Sequence, residues 1–324
     1  MVLSAQQNRP LPAADQAAAR IDSPLAPGHG AKLVRRIPVA ELAQAWECNL
    51  GIDIGPFFRS IDEVLLYACN RTGVQFFRPS AAAGPAALYE RLQDFPWYYA
   101  REKWEHAAAL GHVAGARRVL EIGCAEGSFL DACRARGLEA SGVELNPRAA
   151  AIARRQGHTV YTQPLADLRA EHAGTWDVAC AFQVLEHIAD PGPFLEDMLA
   201  MVRPGGVLVL AVPDRDSFIR HTHATHGVPL DTPPHHMSRW NAESFRRLAV
   251  LLGVVIESVL HEPLAADHVS YWIDVQCRRI RRSSRWAGAL CGARPVRRLA
   301  ALALGLGLRR LIRGQTLLVI LRRT

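Results

Sequence analysis

The sequence is poor in the features that mark membrane-spanning, secreted and zinc-ribbon proteins. Its longest apolar run, at 299–308, has ten residues, whereas a membrane-spanning helix needs roughly 18. The N-terminus lacks the apolar core of a secretory signal, and none of the seven cysteines forms a C-x-x-C pair. We therefore expect a soluble cytoplasmic protein whose cysteines are reduced thiols.

Lysine is also scarce, and charge is unevenly distributed along the chain. Only two of the 38 cationic residues are lysines, and residues 278–324 hold thirteen arginines and no acid. The net charge of +7 therefore divides into +13 for that segment and −6 for residues 1–277. A basic C-terminal segment is attached to a mildly acidic body.

Strand-like and helix-like segments alternate regularly from residue 118 onward. Strands are expected at 118–122, 139–144, 158–162, 176–182, 207–212, 254–260 and 316–321. Helices are expected at 128–136, 147–156, 193–202 and 241–252, the last with Asn241 as its N-cap. Apolar strands joined by helices indicate a parallel sheet covered on both faces. The fold class is therefore α/β, a doubly wound and mostly parallel seven-stranded sheet.

Composition divides the chain into five segments. The first is rich in Ala, Pro and Gln with few large apolar residues, which predicts a disordered tail. The predicted bounds are a tail at 1–30, an N-terminal cap at 31–115, a core at 116–264, a basic helical insertion at 265–313 and a last core strand at 314–324.

A glycine turn lies where the first strand of this alternation meets its helix. Residues 119–130 read VLEIGCAEGSFL, in which Gly123 and Gly127 allow the backbone to approach a ligand closely. Glu144 follows the second strand, where a carboxylate can accept both hydroxyls of a ribose. Glycines alone would also suit a plain βα turn. The carboxylate favours an adenosine-type ligand, and Glu126 within the turn would repel the pyrophosphate of a dinucleotide.

Five blocks, in this order, resemble a class I S-adenosylmethionine-dependent methyltransferase: VLEIGCAEGSFL, GVELN, DVACAFQVLEHI, MVRPGGVLVLAVP and PPHHMSRWN. The resemblance covers residues 117–264, and YACNRTGVQFFRP and LYERLQDFPWYYAREKWE resemble the N-terminal region of one bacterial subgroup. It implies a Rossmann-like methyltransferase fold with an antiparallel last strand, an N-terminal cap and a C-terminal helical insertion. It also implies S-adenosylmethionine as the cofactor.

The same resemblance assigns cofactor contacts. Glu121 and the Gly123–Gly127 turn would hold the methionine part, Glu144 the ribose, and either Gln163 or Asp167 the adenine. The predicted cofactor-binding residues are Glu121, Gly123, Cys124, Ala125, Gly127, Glu144, Leu145, Gln163, Asp167 and Gln183. The family commonly has glycine where Ala125 stands. A methyl group is tolerated there if φ is negative, so we expect cofactor binding to survive.

Histidines supply the candidates for the reaction centre. Five of the thirteen lie between His221 and His236. An imidazole is a suitable general base for a hydroxyl acceptor, so His235 and His236, stiffened by Pro233 and Pro234, either supply the base or only shape the pocket.

His187, beside Glu186 in QVLEHI, is the next candidate, unless that pair only makes contacts at a helix start. A metal bound by His221, His223 and His226 is disfavoured, because their loop reads as flexible and only Asp231 is near. No metal is predicted.

Three interpretations of the arginine-rich segment at 278–313 remain open. We expect a lid or homodimer surface, since the two glycines of LAALALGLGL weaken a free interfacial helix. Contact with an anionic membrane is the second interpretation, and nucleic acid is the third and is disfavoured because aromatic residues are not interleaved.

The function expected from these features is methyl transfer from S-adenosylmethionine to a small-molecule acceptor, at a hydroxyl oxygen. The alternative is a protein of the same fold that binds the cofactor or a membrane surface without turnover.

Overall fold

The computed structural model describes residues 21–95, 98, 103–113, 115–222 and 229–324. The strands in those residues are β1 (Ile21–Ser23), β2 (Ala26–Pro38), β3 (Glu63–Cys69), β4 (Gln75–Arg78), β5 (Arg118–Ile122), β6 (Glu139–Val143), β7 (Thr159–Tyr161), β8 (Trp176–Phe182), β9 (Val202–Pro213), β10 (Ser238–Arg239), β11 (Val254–Pro263) and β12 (Arg313–Arg323).

The α-helices are α1 (Val39–Leu50), α2 (Ala86–Leu92), α3 (Trp104–His112), α4 (Ser128–Arg134), α5 (Pro147–Arg155), α6 (Leu165–His172), α7 (Pro191–Met201), α8 (Ala242–Leu252), α9 (Val269–Ser283), α10 (Arg285–Gly292) and α11 (Arg294–Gly305). In the described ranges, no helix has the length and apolar character needed to cross a bilayer.

A seven-stranded sheet forms the centre of the fold, in the order β11-β12-β9-β8-β5-β6-β7. Strand β12 runs antiparallel to both β11 and β9, while the pairs from β9 to β7 are parallel. The predicted mostly parallel sheet with an antiparallel last strand is confirmed.

Apolar side chains cover both faces of this sheet. In β9, Leu208, Leu210 and Val212 pack into one buried cluster, and Val207 and Val209 pack into the cluster on the opposite face. A strand with both faces buried is a continuous run of apolar residues, and that run allowed the strand to be predicted from the sequence. The strand nevertheless begins at Val202 rather than at the predicted residue 207, because Val202 already pairs with Trp176 of β8.

Helix α8 begins as the sequence predicts. The Asn241 side chain accepts a hydrogen bond from the Ser244 N–H at 2.9 Å, and the Ser244 hydroxyl accepts one from the Asn241 N–H at 3.0 Å. This reciprocal pair satisfies two backbone donors that the first turn of a helix leaves free.

The N-terminal cap is a five-stranded sheet in the order β1-β2-β3-β4-β10, and every pair in it is antiparallel. The prediction of a disordered tail up to residue 30 is wrong for residues 21–30, which form β1 and the start of β2. Leu25, Ala26 and Ala31 are buried there, so even small apolar residues gain enough contact to order the strand pair. Residues 1–20 lie outside the described residues.

The arginine-rich segment is helical, as predicted, and forms α9, α10 and α11 between β11 and β12. Helix α9 packs on the body: Val269 and Ile273 are buried in one cluster with Phe218 and Leu264. Helices α10 and α11 bury much less, with only Gly288 and Leu304 buried.

Candidate active site

A cavity of about 1460 Å³ lies between the seven-stranded sheet and the cap. Gly123, Glu144 and Gln183, which directly follow β5, β6 and β8, line it. The carboxyl ends of parallel strands form the usual binding edge of a doubly wound sheet. The cavity therefore lies where the sequence analysis placed the cofactor.

The glycine turn has the tight geometry expected of it. Gly123 has φ +75°, and a Cβ there would lie 2.5 Å from Val184 Cγ2. Gly127 has φ +90°, and a Cβ there would lie 2.8 Å from His158 Cδ2. Only glycine fits either position without displacing a neighbour.

A methyl group at Ala125 was expected to be tolerated if its φ is negative, and the structure shows a different conformation. Its φ is +46°, in the left-handed region, rather than negative. The Ala125 N–H donates to Glu144 Oε2 at 2.9 Å, and this bond holds the residue in a conformation that costs an L-amino acid about 1–2 kcal/mol. The expectation of a negative φ was wrong, because the hydrogen bond to Glu144 overrides the backbone preference of alanine.

Glu144 joins two loops at the cavity edge. Its Oε2 accepts the Ala125 N–H and its Oε1 accepts the Asn146 N–H at 2.7 Å. Burial raises the pKa of Glu144, while these backbone donors act in the opposite direction. Each carboxylate oxygen keeps a further lone pair for a ligand hydroxyl.

Glu121 is a buried carboxyl in β5, and its Oε2 has no hydrogen-bond partner among the described residues. Burial raises its pKa to about 8, an effect that the nearby Lys103 opposes and Glu144 reinforces. A cation bound near these two carboxyl groups would favour their ionised forms, whereas an anion would oppose ionisation. The site therefore suits the cation S-adenosylmethionine.

Only some of the other predicted cofactor residues line the cavity. Leu145 and Gln183 line the cavity, and Leu145 is 63% exposed. Cys124 is buried and, like Glu121 and Gly127, does not line it. Gln163 and Asp167 do not line it either, and Pro164, Leu165 and Ala166 form the wall between them. Their roles as adenine contacts stay predictions.

His187, His235 and His236 form one cluster in the same cavity. The rings of His235 and His236 stack with centroids 4.5 Å apart, and the His187 ring meets them edge-on at 4.6 and 5.0 Å. His187 comes from a 3₁₀ turn after β8, and the other two follow the cis Pro233–Pro234 bond. The structure thus brings together three residues that are far apart in sequence.

All three imidazoles are neutral at physiological pH. Burial lowers the pKa of His187 to about 4. Burial, followed by the neighbouring histidines, lowers the pKa of His235 and of His236. Each ring therefore offers a lone pair, but each is a weaker base than an exposed histidine.

The loop that carries His235 and His236 is held by hydrogen bonds and an ion pair. The Met237 N–H donates to the Glu186 carbonyl at 2.7 Å, and the Phe77 N–H donates to the Met237 carbonyl at 2.8 Å. Arg239 forms an ion pair with Asp231 at 2.8 Å. The flexible loop expected from the sequence is the one with His221, His223 and His226, and that expectation stays a prediction. His223 and His226 lie outside the described residues.

Several cavity residues escaped sequence reasoning. Lys103 and Glu105 line it, and the Gln183 side-chain amide donates to Glu105 Oε1 at 3.2 Å. Tyr98 places its hydroxyl 3.3 Å from His235 Nε2. All three residues belong to the FPWYYAREKWE stretch. The sequence showed that this stretch is rich in aromatic residues, but not that it contacts Gln183, directly after β8.

Comparison with known proteins agrees with this geometry. A family described as a methyltransferase domain matches residues 73–259, more than half of the chain. A ubiquinone biosynthesis O-methyltransferase of Psychrobacter arcticus is 32% identical over 155 residues, 45% of this chain and 59% of that protein. A probable S-adenosylmethionine-dependent methyltransferase of Mycolicibacterium smegmatis is 30% identical over 194 residues, 55% of this chain and 70% of that protein.

Among solved structures, an S-adenosylmethionine-dependent methyltransferase from Archaeoglobus fulgidus is similar with a TM-score of 0.48 and 18% identity, covering 72% of this chain and 100% of that one. The chain spans about three fifths of the length of the Psychrobacter relative.

The protein belongs to the methyltransferase-domain family. Within it, the sheet order, the glycine turn and the acidic residue after the second parallel strand are those of a class I S-adenosylmethionine-dependent methyltransferase, as the resemblance predicted.

The left-handed conformation of Ala125 can be tested by Ala125→Gly. Glycine removes the left-handed cost but loses more chain entropy, so we expect the free energy of unfolding to rise by up to about 1 kcal/mol. The matched control is Ala170→Gly on the exposed face of α6, which should lower it by about 1 kcal/mol. Urea unfolding measures both, and a destabilised Ala125→Gly variant would contradict the argument.

Proposed function

We propose that this protein transfers the methyl group of S-adenosylmethionine to a hydroxyl oxygen of a small-molecule acceptor. One observation carries the proposal: a single cavity holds the glycine turn with Glu144 at one side and the cluster of His187, His235 and His236 at the other. The name of the Psychrobacter relative, a ubiquinone biosynthesis O-methyltransferase, supports oxygen as the accepting atom.

The bound cofactor supplies a methyl group on a positively charged sulfur. In the proposal, Gly123 and Ala125 lie against it, Glu144 accepts its ribose hydroxyls, and the buried Glu121 favours its positive charge at longer range. The cap and the fixed 229–240 loop keep bulk water from the reacting atoms, which prevents hydrolysis and strengthens each electrostatic contact.

The acceptor hydroxyl lies against the histidine cluster in this proposal. A hydroxyl must lose its proton as the new oxygen–carbon bond forms, and three unprotonated imidazoles surround that position. His236 has the most favourable surroundings, because its Nδ1 lies 3.4 Å from Asp231 Oδ1 and its Nε2 is left for the acceptor. His235 Nε2 already has the Tyr98 hydroxyl beside it.

Glu144→Ala tests the cofactor site. Loss of the hydrogen bonds to ribose, and of the two that fix the Ala125 and Asn146 loops, should weaken cofactor binding at least about tenfold. The cofactor affinity of Glu144→Gln, which keeps one acceptor oxygen, should lie between that of Glu144→Ala and that of the parent. Calorimetric titration with S-adenosylmethionine measures the affinity, with exposed Glu171→Ala as the control. Equal affinity in parent and Glu144→Ala would remove Glu144 from the site.

His236→Ala tests the reaction centre. We expect kcat to fall by roughly 10²–10⁴-fold while S-adenosylmethionine affinity stays unchanged, because the cluster acts on the acceptor. His235→Ala and His187→Ala locate the decisive ring, and His221→Ala outside the cluster is the control. The assay follows S-adenosylhomocysteine release with a panel of phenolic acceptors.

Parental turnover in all three cluster variants would show that the histidines only shape the pocket. Cofactor binding without any release of S-adenosylhomocysteine would favour the alternative, a non-catalytic protein of this fold.

A second proposal concerns α10, α11 and the turn that follows them. Seven large apolar side chains there are 53–90% exposed and are called here the outer face: Trp286, Leu290, Leu299, Leu302, Leu306, Leu308 and Leu311. We propose that this face rests on an anionic membrane surface as a peripheral contact. Exposed tryptophan and leucine beside arginine match the composition of interfacial helices.

Charge favours a membrane over a second copy of the chain. A two-fold dimer through this face would place the same arginine-rich surface on both sides, and residues 278–324 contain no acid to neutralise it. An anionic leaflet attracts each nearby arginine by about 1 kcal/mol. Helix α9 contributes Tyr271, which precedes the arginine-rich segment, to the cavity wall. The lid expected of residues 278–313 stays a prediction.

Co-sedimentation with vesicles tests the membrane contact. We expect binding to phosphatidylcholine vesicles containing phosphatidylglycerol, weak binding to pure phosphatidylcholine, and a marked loss at high salt. Trp286→Ala combined with Leu306→Ala should weaken binding at least about tenfold. The control pair, Val250→Ala with Val255→Ala, shortens two exposed apolar residues of the body. No vesicle binding, with a dimer in sedimentation velocity, would replace the membrane by a homodimer.

A further inference from the structure

The histidine cluster has a second property that proton transfer does not use. One ring nitrogen from each of His187, His235 and His236 lies within 4.8 Å of those of the other two. Three neutral imidazoles gathered in a buried cavity are the donor set that divalent transition metals prefer. The cluster is not the group of loop histidines considered in the sequence analysis.

Hydrogen bonding fixes which nitrogen each ring presents. His187 Nδ1 lies 2.7 Å from the His235 carbonyl oxygen, and His235 Nδ1 lies 3.0 Å from the Leu230 carbonyl oxygen. A carbonyl oxygen only accepts, so both Nδ1 atoms carry the proton and donate it. The His236 Nδ1–H in the same way faces Asp231 Oδ1 at 3.4 Å. In their neutral forms the three rings therefore keep the lone pair on Nε2, and the backbone of Gln183 is a further hydrogen-bond partner of the His187 ring.

This arrangement is the one found around histidines that bind metals. A metal-bound imidazole donates its second N–H to a carbonyl or carboxylate, which fixes the ring and raises its donor strength. Here two rings donate to backbone carbonyls and one to a carboxylate. Met237, next to the loop that carries two of them, is hydrogen-bonded to Phe77 of β4 and to Glu186 in the turn after β8. The outer contacts of a metal site are thus already in place.

An unpartnered acid lies beside the cluster. Glu186 is 1% exposed, and neither of its carboxylate oxygens has a hydrogen-bond partner among the described residues. Its Oε1 is 4.0 Å from His187 Nε2. A buried carboxyl without a partner is costly, and a cation bound between it and the imidazoles would satisfy it.

We propose that His187, His235 and His236, with Glu186 as the charge partner, bind one divalent transition-metal ion. Nitrogens bound at about 2.0–2.1 Å to one tetrahedral ion lie roughly 3.4 Å apart, so binding draws the three rings closer together. His235 exchanges the Tyr98 hydroxyl at 3.3 Å for the ion.

This inference deepens the proposed function, because it states how the cluster activates the acceptor. An ion held by the three imidazoles, with the Glu186 charge nearby, keeps its fourth tetrahedral position for the acceptor oxygen. Coordination lowers the pKa of that hydroxyl, so that its proton is lost to water as the acceptor enters the cavity.

Metal binding is measured on the purified full chain with its affinity tag removed, in the absence of cofactor and acceptor. Titration with Co²⁺ should give one ion per chain with the visible absorption of a tetrahedral complex, and Zn²⁺ should displace it. His236→Gln and Glu186→Gln should each weaken Co²⁺ binding at least about tenfold. The control variant replaces His221, His223 and His226 together by Ala and should bind as the parent does.

The result separates this inference from the proposed function. Absence of Co²⁺ binding by the parent, unchanged affinity in His236→Gln and Glu186→Gln, or loss only in the loop control would each overturn the metal site. Circular dichroism and S-adenosylmethionine titration verify that the variants are folded. If Co²⁺ does not bind yet His236→Ala still abolishes turnover, the metal proposal fails and methyl transfer with a histidine base stands.

Discussion

The backbone of Met237 connects the two sheets of this protein, and the geometry of the cavity depends on it. Its N–H donates to the carbonyl of Glu186, just after β8, and its carbonyl accepts from Phe77 in β4. Together with the Arg78 guanidinium, which donates to the Ala189 carbonyl at 2.9 Å, this residue joins the cofactor edge to the cap. His235 and His236 directly precede it, so this connection and the hydrogen bonds within their own loop together set their position.

Buried carboxyl groups give the cavity its chemical character. Glu121, Glu144 and Glu186 are each at most 9% exposed, and burial raises the pKa of all three. Such groups are unfavourable for folding unless they are paired, and only Glu144 has both oxygens hydrogen-bonded in the structure. Glu186 lines the cavity beside His187, whereas Glu121 lies in β5 and does not line it.

Features that depend on short stretches of chain could be predicted from the sequence. The strand at Arg118–Ile122 and the N-cap at Asn241 agree with prediction to the residue, because apolar periodicity and capping are local. The Gly123 turn was equally readable, since a left-handed φ and a crowded Cβ position both require glycine. The conformation of Ala125 could not be predicted, because its cause is a hydrogen bond to Glu144, nineteen residues away.

The sequence by itself determined the αβ alternation, the cofactor edge and the segregation of positive charge at the C-terminus, since each follows from residue types and their spacing. Only the tertiary structure decided what lies around that edge. It ordered residues 21–30 by pairing them into a sheet, and it placed His187 against His235 across 48 residues of chain. Contacts of that separation arise from packing two sheets against one loop, and no periodicity within the chain encodes them.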